Sequence, residues 1–134
     1  MWPGKPLYLA VTSGTTSGSK YIPITKQSLP NHLKGARIAL LMYVAETGKV
    51  DFVNGKFIFV QGSPVLSKIS GILTGRLSGI SAHHIPFYMK KNMLPSWSTN
   101  IIEDWEDKIE GIVKETIEAD MTIISGIPSW LQMY

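Results

Sequence analysis

A stretch of hydroxyl and glycine residues between two short apolar runs is the part of this sequence best suited to chemistry. Residues 11–24 read Val-Thr-Ser-Gly-Thr-Thr-Ser-Gly-Ser-Lys-Tyr-Ile-Pro-Ile. Hydroxyls donate hydrogen bonds to anionic oxygens, glycines let main-chain N–H groups approach closely, and a lysine adds positive charge. These features are typical of a phosphate-binding loop. The composition fits a flexible linker equally well, because Ser, Thr and Gly runs are common in linkers.

The spacing within this loop excludes two familiar nucleotide-binding patterns. The pattern G-x-x-x-x-G-K-[ST], begun at Gly14, requires glycine where Ser19 stands and a hydroxyl residue where Tyr21 stands. The dinucleotide pattern G-x-G-x-x-G has no match here either. The candidate phosphate-binding residues are Thr12, Ser13, Gly14, Thr15, Thr16, Ser17, Gly18 and Lys20.

Composition limits the class of protein. The 134 residues are 44% hydrophobic and 17% charged, which fits one globular domain with a real core. The net charge is +3 and the basic residues are scattered, so no stripe indicates a nucleic-acid partner. There are no cysteines, which excludes disulfides and thiolate metal sites. The sequence has no signal-peptide pattern, and its longest apolar stretch is too short to span a bilayer, so we expect a cytoplasmic chain without a membrane partner.

Short apolar strands alternating with helices predict a layered α/β fold. The predicted strands cover residues 7–11, 21–24, 57–60 and 122–124, and the first two form a hairpin around the loop. The first helix begins at Thr25 or Ser28 and ends at Gly48. A second helix is predicted after an N-cap at Asn100, and a third begins at Ser129.

The helical patterns carry further expectations. The first helix is predicted to be buried on more than one side, because Ile38, Met42 and Tyr43 make its other faces apolar. In the second helix Asp104–Lys108 and Glu110–Lys114 are spaced as surface ion pairs.

Between residues 62 and 94 the periodicity fails. Glycines recur every four residues at Gly71, Gly75 and Gly79, which leaves a packed helix face and a loop-rich segment both open. His83 and His84 are neighbours whose side chains point in different directions, which favours cleft or surface histidines over a metal site.

The order of residues in the loop resembles the phosphate-binding loop of the adenylate-forming superfamily, with the pattern [ST]-[ST]-G-[ST]-[ST]-G-x-x-K. Ser17 before the second glycine, and the continuation through residues 21–25, are similar to the acyl-acid amido synthetases, also called the Gretchen Hagen or auxin-responsive promoter family. Residues 2–6 and 124–130 resemble segments of bacterial members, so the resemblance covers the whole chain.

The resemblance implies an ATP- and Mg²⁺-dependent ligase that activates a small carboxylic acid as acyl-AMP and conjugates it to an amine such as an amino acid. The loop of residues 12–20 would wrap the β- and γ-phosphates, with hydroxyl donors, close backbone at the glycines and charge from Lys20. No carboxylate has a motif that assigns it to magnesium. Candidate acyl-pocket residues are Gly126, Ile127 and Pro128, to which we add Arg37 as a partner for a substrate carboxylate or as an ordinary surface arginine.

The resemblance also limits what residues 1–134 would do alone. They would form a single partial domain, a layered sheet-and-helix fragment of the large N-terminal domain, and would need the remainder of the same enzyme. The family's later motifs are missing, and the apolar residues 130–134 favour a fragment. A non-catalytic anion-binding or interaction module and an acyl-CoA ligase of the same superfamily are the alternatives.

Overall fold

The structure is a computed structural model that describes residues 4–12 and 18–134. It mixes helices with mixed and parallel sheets, at 42% helix and 24% strand, which confirms the predicted α/β class. The chain groups into two compact units. Unit 1 comprises Met1–Ala45 and Pro64–His84, and unit 2 comprises Glu46–Ser63 and Ile85–Tyr134. The single partial domain expected over residues 1–134 stays a prediction.

The secondary structure alternates along the chain. The strands are β1 (Tyr8–Thr12), β2 (Lys20–Ile24), β3 (Lys56–Val60), β4 (Ser67–Ile69), β5 (Ile72–Gly75), β6 (Met93–Leu94) and β7 (Met121–Gly126). The helices are α1 (Leu29–Thr47), α2 (Leu77–Ala82), α3 (Phe87–Lys90), α4 (Trp97–Asn100), α5 (Trp105–Thr116) and α6 (Pro128–Leu131). A short 3₁₀ turn covers Asp51–Asn54.

Unit 1 is built on a four-stranded sheet with the order β2-β1-β5-β4. β1 pairs antiparallel with β2 and parallel with β5, and β4 and β5 form an antiparallel hairpin. One face of the sheet is covered by helices, because the buried core joins strand residues to residues of α1 and α2. Its members are Ala10, Ile24, Leu29 and Ile80. The predicted hairpin of β1 and β2 is confirmed.

Unit 2 is built on an all-parallel sheet with the order β6-β3-β7. The continuous apolar run in β3 is typical of a central strand, and β3 does lie between two neighbours. Ile58 and Val60 of β3 pack against Ile112 of α5, which lies across the sheet. Asp104 begins α5 by accepting a 3.0 Å hydrogen bond from the Asp107 N–H. The N-cap is therefore Asp104, and the prediction of Asn100 was wrong.

The expectation that α1 is buried on several sides was also wrong. Ile38 is 43% exposed and Met42 is 61% exposed. The helix meets the core of unit 1 through Leu29 and Leu33, close to its N-terminal end, so its later turns carry their apolar side chains outside that core. The predicted stop is confirmed, since α1 ends at Thr47 and Gly48 follows with φ +67°.

The three regularly spaced glycines have three separate roles. Gly71, with φ +76°, lies in the tight turn between β4 and β5. Gly75 ends β5 where a Cβ atom would lie 2.6 Å from Cδ2 of Leu66, and Gly79 is buried within α2. Their four-residue spacing therefore reflects neither one helix face nor one loop.

Candidate phosphate-binding site

The Ser/Thr/Gly loop connects two strands whose ends face each other. Thr12, the last residue of β1, is directly opposite Lys20, the first residue of β2. The Thr12 hydroxyl donates to the Lys20 main-chain oxygen at 3.5 Å, which is long for a hydrogen bond. The pairing of the two strands, rather than this side-chain contact, holds the two residues opposite each other. They form the two sides of the loop's base.

Strand alternation places Thr12 and Lys20 on the helix-covered face of the sheet. Directly opposed residues of an antiparallel pair share a face, as do residues two positions apart along a strand. Ala10 lies two residues before Thr12 and belongs to the buried core of unit 1. Thr12 is partly buried at the margin of that core, whereas Lys20 is exposed. A lysine here keeps its ammonium in solvent, where an anion can reach it.

The rest of the predicted loop is only partly within the described residues. Gly18 is exposed and has φ +78°, a conformation that favours glycine. An added Cβ atom at Gly18 would meet nothing within 4 Å among the described atoms, so the conformation rather than crowding explains the glycine. The predicted donors Ser13, Gly14, Thr15, Thr16 and Ser17 lie outside the described residues.

The parallel pairing of β1 with β5 brings another segment to the same edge of the sheet. Ala10 is opposite Gly75, and β5 ends at Gly75. Arg76 follows as the residue before α2, and it is exposed. Ligands of α/β proteins bind outside the carboxyl ends of parallel strands, which is the edge where the loop begins. Sequence reasoning missed Arg76, because no local signal shows that β5 pairs with a strand some sixty residues earlier.

The acyl-pocket candidates lie in different parts of the chain. Gly126, Ile127 and Pro128 form the turn from β7 to α6 in unit 2, as predicted, while Arg37 is exposed on α1 in unit 1. Gly126 has a structural reason to be glycine, because a Cβ atom would lie 2.8 Å from the Val60 main-chain oxygen. The main-chain oxygen of Ile127 accepts hydrogen bonds from the first turn of α6. A role of these residues toward a substrate stays a prediction.

A cluster of hydrogen bonds around one carboxylate of unit 2 was not foreseen from the sequence. Glu115 of α5 accepts hydrogen bonds of 2.6 Å from both the N–H and the hydroxyl of Ser96, and another from the Thr99 hydroxyl. Burial raises the pKa of Glu115, but these hydrogen bonds outweigh burial and leave the pKa below its usual range. All three donors belong to the turn around α4, so the cluster ties that turn to α5.

Of the two predicted surface ion pairs, Glu110–Lys114 is present, and the prediction of Asp104–Lys108 was wrong. The Glu110 carboxylate lies 2.7 Å from the Lys114 ammonium, and this pairing lowers the pKa of Glu110. Lys108 is instead buried, at 2% exposed, and it does not serve as a surface partner of Asp104. Burial lowers the pKa of Lys108. Helical spacing alone put Lys108 on the surface, whereas packing against the chain before α5 buries it.

The two neighbouring histidines contact different residues of unit 1. His83 Nε2 donates to the Pro64 main-chain oxygen at 2.9 Å, and His84 Nε2 lies 3.0 Å from the Tyr8 hydroxyl. Within residues 4–12 and 18–134, no group of three or more His, Asp or Glu side chains is placed to hold a metal ion. Nor is any helix in those ranges long and apolar enough to cross a membrane.

One family model matches most of the chain. The sequence model of the GH3 family N-terminal domain matches residues 1–110, which include the loop and the whole of unit 1. Searches of curated proteins and of solved structures gave no match.

Proposed function

The chain belongs to the GH3 family, which includes auxin-responsive acyl-acid amido synthetases, and we propose that it supplies the ATP phosphate-binding loop of such an acyl-adenylating ligase. The observation that carries the proposal is the pairing of Thr12 with Lys20 at the base of the Ser/Thr/Gly loop. The register presents a hydroxyl and an ammonium together, where the loop leaves the carboxyl end of β1. Membership of the bacterial branch and a cytoplasmic location stay predictions.

In the proposed reaction the loop positions ATP and stabilises charge. A carboxylate oxygen of the acid forms a bond to the α-phosphorus, and the bond from that phosphorus to the oxygen bridging the β-phosphate breaks. The leaving pyrophosphate gains charge, which hydroxyls, main-chain N–H groups and the Lys20 ammonium offset. An amine, proposed to be that of an amino acid, then forms a bond from its nitrogen to the acyl carbon. The bond from that carbon to the phosphate oxygen of AMP breaks, AMP leaves, and the nitrogen releases a proton to solvent. The loop would hold the β- and γ-phosphates through both positioning and charge.

Magnesium is expected to accompany ATP, and no group of three or more His, Asp or Glu side chains lies together within the described residues. We propose that its ligands, and those of adenine and ribose, belong to the remainder of the enzyme. The proposed contribution of this chain is to bind the β- and γ-phosphates. The acid and amine substrates are proposed by class only.

The test is ATP binding by the 134-residue chain, measured by isothermal titration calorimetry with Lys20→Ala and Lys26→Ala as a matched pair. Lys20 begins β2, whereas Lys26 is an exposed lysine just past the other end of the same strand. Loss of one charge-assisted contact predicts about tenfold weaker binding for Lys20→Ala, with Lys26→Ala unchanged. Equal affinity in wild type and Lys20→Ala would refute the role of the loop.

Catalysis is tested separately by ATP–pyrophosphate exchange with a panel of carboxylic acids. Exchange that depends on Lys20 supports adenylation. ATP binding without exchange in the full-length enzyme would instead favour a non-catalytic anion-binding module. A thioester rather than an amide product would identify an acyl-CoA ligase.

A further inference from the structure

A second exposed cation lies at the same edge of the sheet as the base of the loop. β1 and β5 are parallel, with Ala10 opposite Gly75, so their carboxyl ends share one edge. Arg76 has φ −67° and ψ 149°, an extended conformation that continues the strand by one residue. Continuing the register therefore puts Arg76 level with Val11, one residue before the end of β1.

Lys20 and Arg76 approach this edge from opposite faces of the sheet. Lys20 shares the helix-covered face with Thr12 and Ala10. Alternation puts Arg76 on the other face, because Gly75 shares the face of its partner Ala10. Only β1 lies between the main chain at Lys20 and the main chain at Arg76. These two main-chain positions are therefore two inter-strand spacings apart, which is about 10 Å. Both side chains are long and exposed, so they can converge on an anion lying just outside the edge.

The backbone of Arg76 is held in place. Its main-chain oxygen accepts a 2.9 Å hydrogen bond from the N–H of Ile80, and Ile80 is fully buried in the core of unit 1. The guanidinium is thus attached to a fixed point at the junction of β5 and α2. A fixed attachment lowers the entropy lost when a long side chain binds a ligand.

We propose that Arg76 is a phosphate-positioning residue that clamps the triphosphate together with Lys20, one from each face of the sheet. This rests on the proposed function of the loop. The two cations have different chemistry, because a guanidinium presents a planar fork to two phosphate oxygens whereas an ammonium acts as a point charge. Lys20 would neutralise charge and Arg76 would orient the outer phosphates.

The experiment compares Arg76→Ala with Lys68→Ala in binding of inorganic tripolyphosphate and of ATP to the 134-residue chain. Lys68 is exposed on β4 of the same sheet, and it is opposite Leu73, which pairs with Tyr8 at the other end of β1. Arg76→Ala is expected to weaken binding of both probes about tenfold, the effect of losing one charged contact. Lys68→Ala should bind like wild type, and Arg76→Lys should lose less than Arg76→Ala.

Each outcome decides the proposal. Wild-type affinity in Arg76→Ala, with weakened binding in Lys20→Ala, would overturn the clamp and leave the loop's function standing. Absence of binding by the wild-type chain would overturn both. Thermal unfolding checks that the variants fold, and Arg76→Gln replaces Arg76→Ala if the latter unfolds, with the same weakening expected. Weakening by Lys68→Ala equal to that of Arg76→Ala would show non-specific attraction and also refute the clamp.

Discussion

Lys108 donates a 2.6 Å hydrogen bond from Nζ to the main-chain oxygen of Asn100, although Lys108 is only 2% exposed. Asn100 is the last residue of α4, where helix carbonyls lack partners within the helix and carry partial negative charge. The buried ammonium therefore caps α4 and joins it to α5. The acceptor is a neutral carbonyl, so the cost of burying the charge is only partly offset.

Replacing Lys108 should remove part of the pH dependence of stability. Burial lowers the pKa of Lys108, so the unfolded chain binds this proton more tightly than the folded chain. The free energy of unfolding then rises with pH between the lowered folded pKa and the unfolded pKa of about 10.4. Lys108→Met should show a smaller rise than wild type when urea unfolding is measured from pH 7 to 10. Lys114→Met, at an exposed position on the same helix, should keep the wild-type slope. A wild-type slope in Lys108→Met would contradict this account.

Glu115→Gln should destabilise unit 2 by about 1–3 kcal/mol, the cost of disturbing partly buried hydrogen bonds to a charged group. The amide nitrogen of glutamine would face the donors of Ser96 and Thr99. The lowered pKa of Glu115 contributes stability above the unfolded pKa of about 4.3, and this is lost as pH falls through the folded pKa. Acid unfolding followed by circular dichroism should thus be less pH-sensitive in Glu115→Gln. Glu118→Gln, at an exposed position nearby, is the control and should stay within about 0.5 kcal/mol of wild type.

Gly126→Ala should destabilise the chain by about 1–3 kcal/mol because of overpacking. The new methyl would lie 2.8 Å from the main-chain oxygen of Val60, which is fixed by the pairing of β3 with β7. Gly35→Ala, in α1 with nothing within 4 Å of the new methyl, should stabilise by about 0.5–1 kcal/mol through helix propensity. Thermal unfolding of the two variants measures the contrast. Equal stability of Gly126→Ala and wild type would show that the close approach is not what requires glycine.

Ile58→Ala should cost about 2–5 kcal/mol, because the side chain is fully buried at the centre of the parallel sheet. Ile124→Ala removes the same atoms from β7, where the side chain is 54% exposed, and should cost about 1 kcal/mol or less. Chemical denaturation of both variants gives the difference. Similar losses at the two positions would mean that β3 is not the core strand of unit 2.

Local elements were largely predictable from the sequence because their signals are local. The hairpin around the loop, the central strand β3 and the stop at Gly48 follow from apolar runs and from glycine, and the structure has all three. The helix cap was misplaced by a few residues, from Asn100 to Asp104, since both residue types are good caps. The exposure of α1 could not be predicted, because helical spacing gives an apolar face without saying what covers it.

Residue types and order alone determined the hydroxyl- and glycine-rich loop, its lysine and the family to which the chain belongs, since these are properties of adjacent residues. Only the tertiary structure decided that Lys108 is buried beneath the end of α4 and that Arg76 reaches the edge where the loop begins. The first depends on how two consecutive helices pack, and the second on pairing between strands some sixty residues apart. Which strands pair and which helices pack together depends on the apolar surface that the whole fold buries. A short sequence pattern does not contain that information.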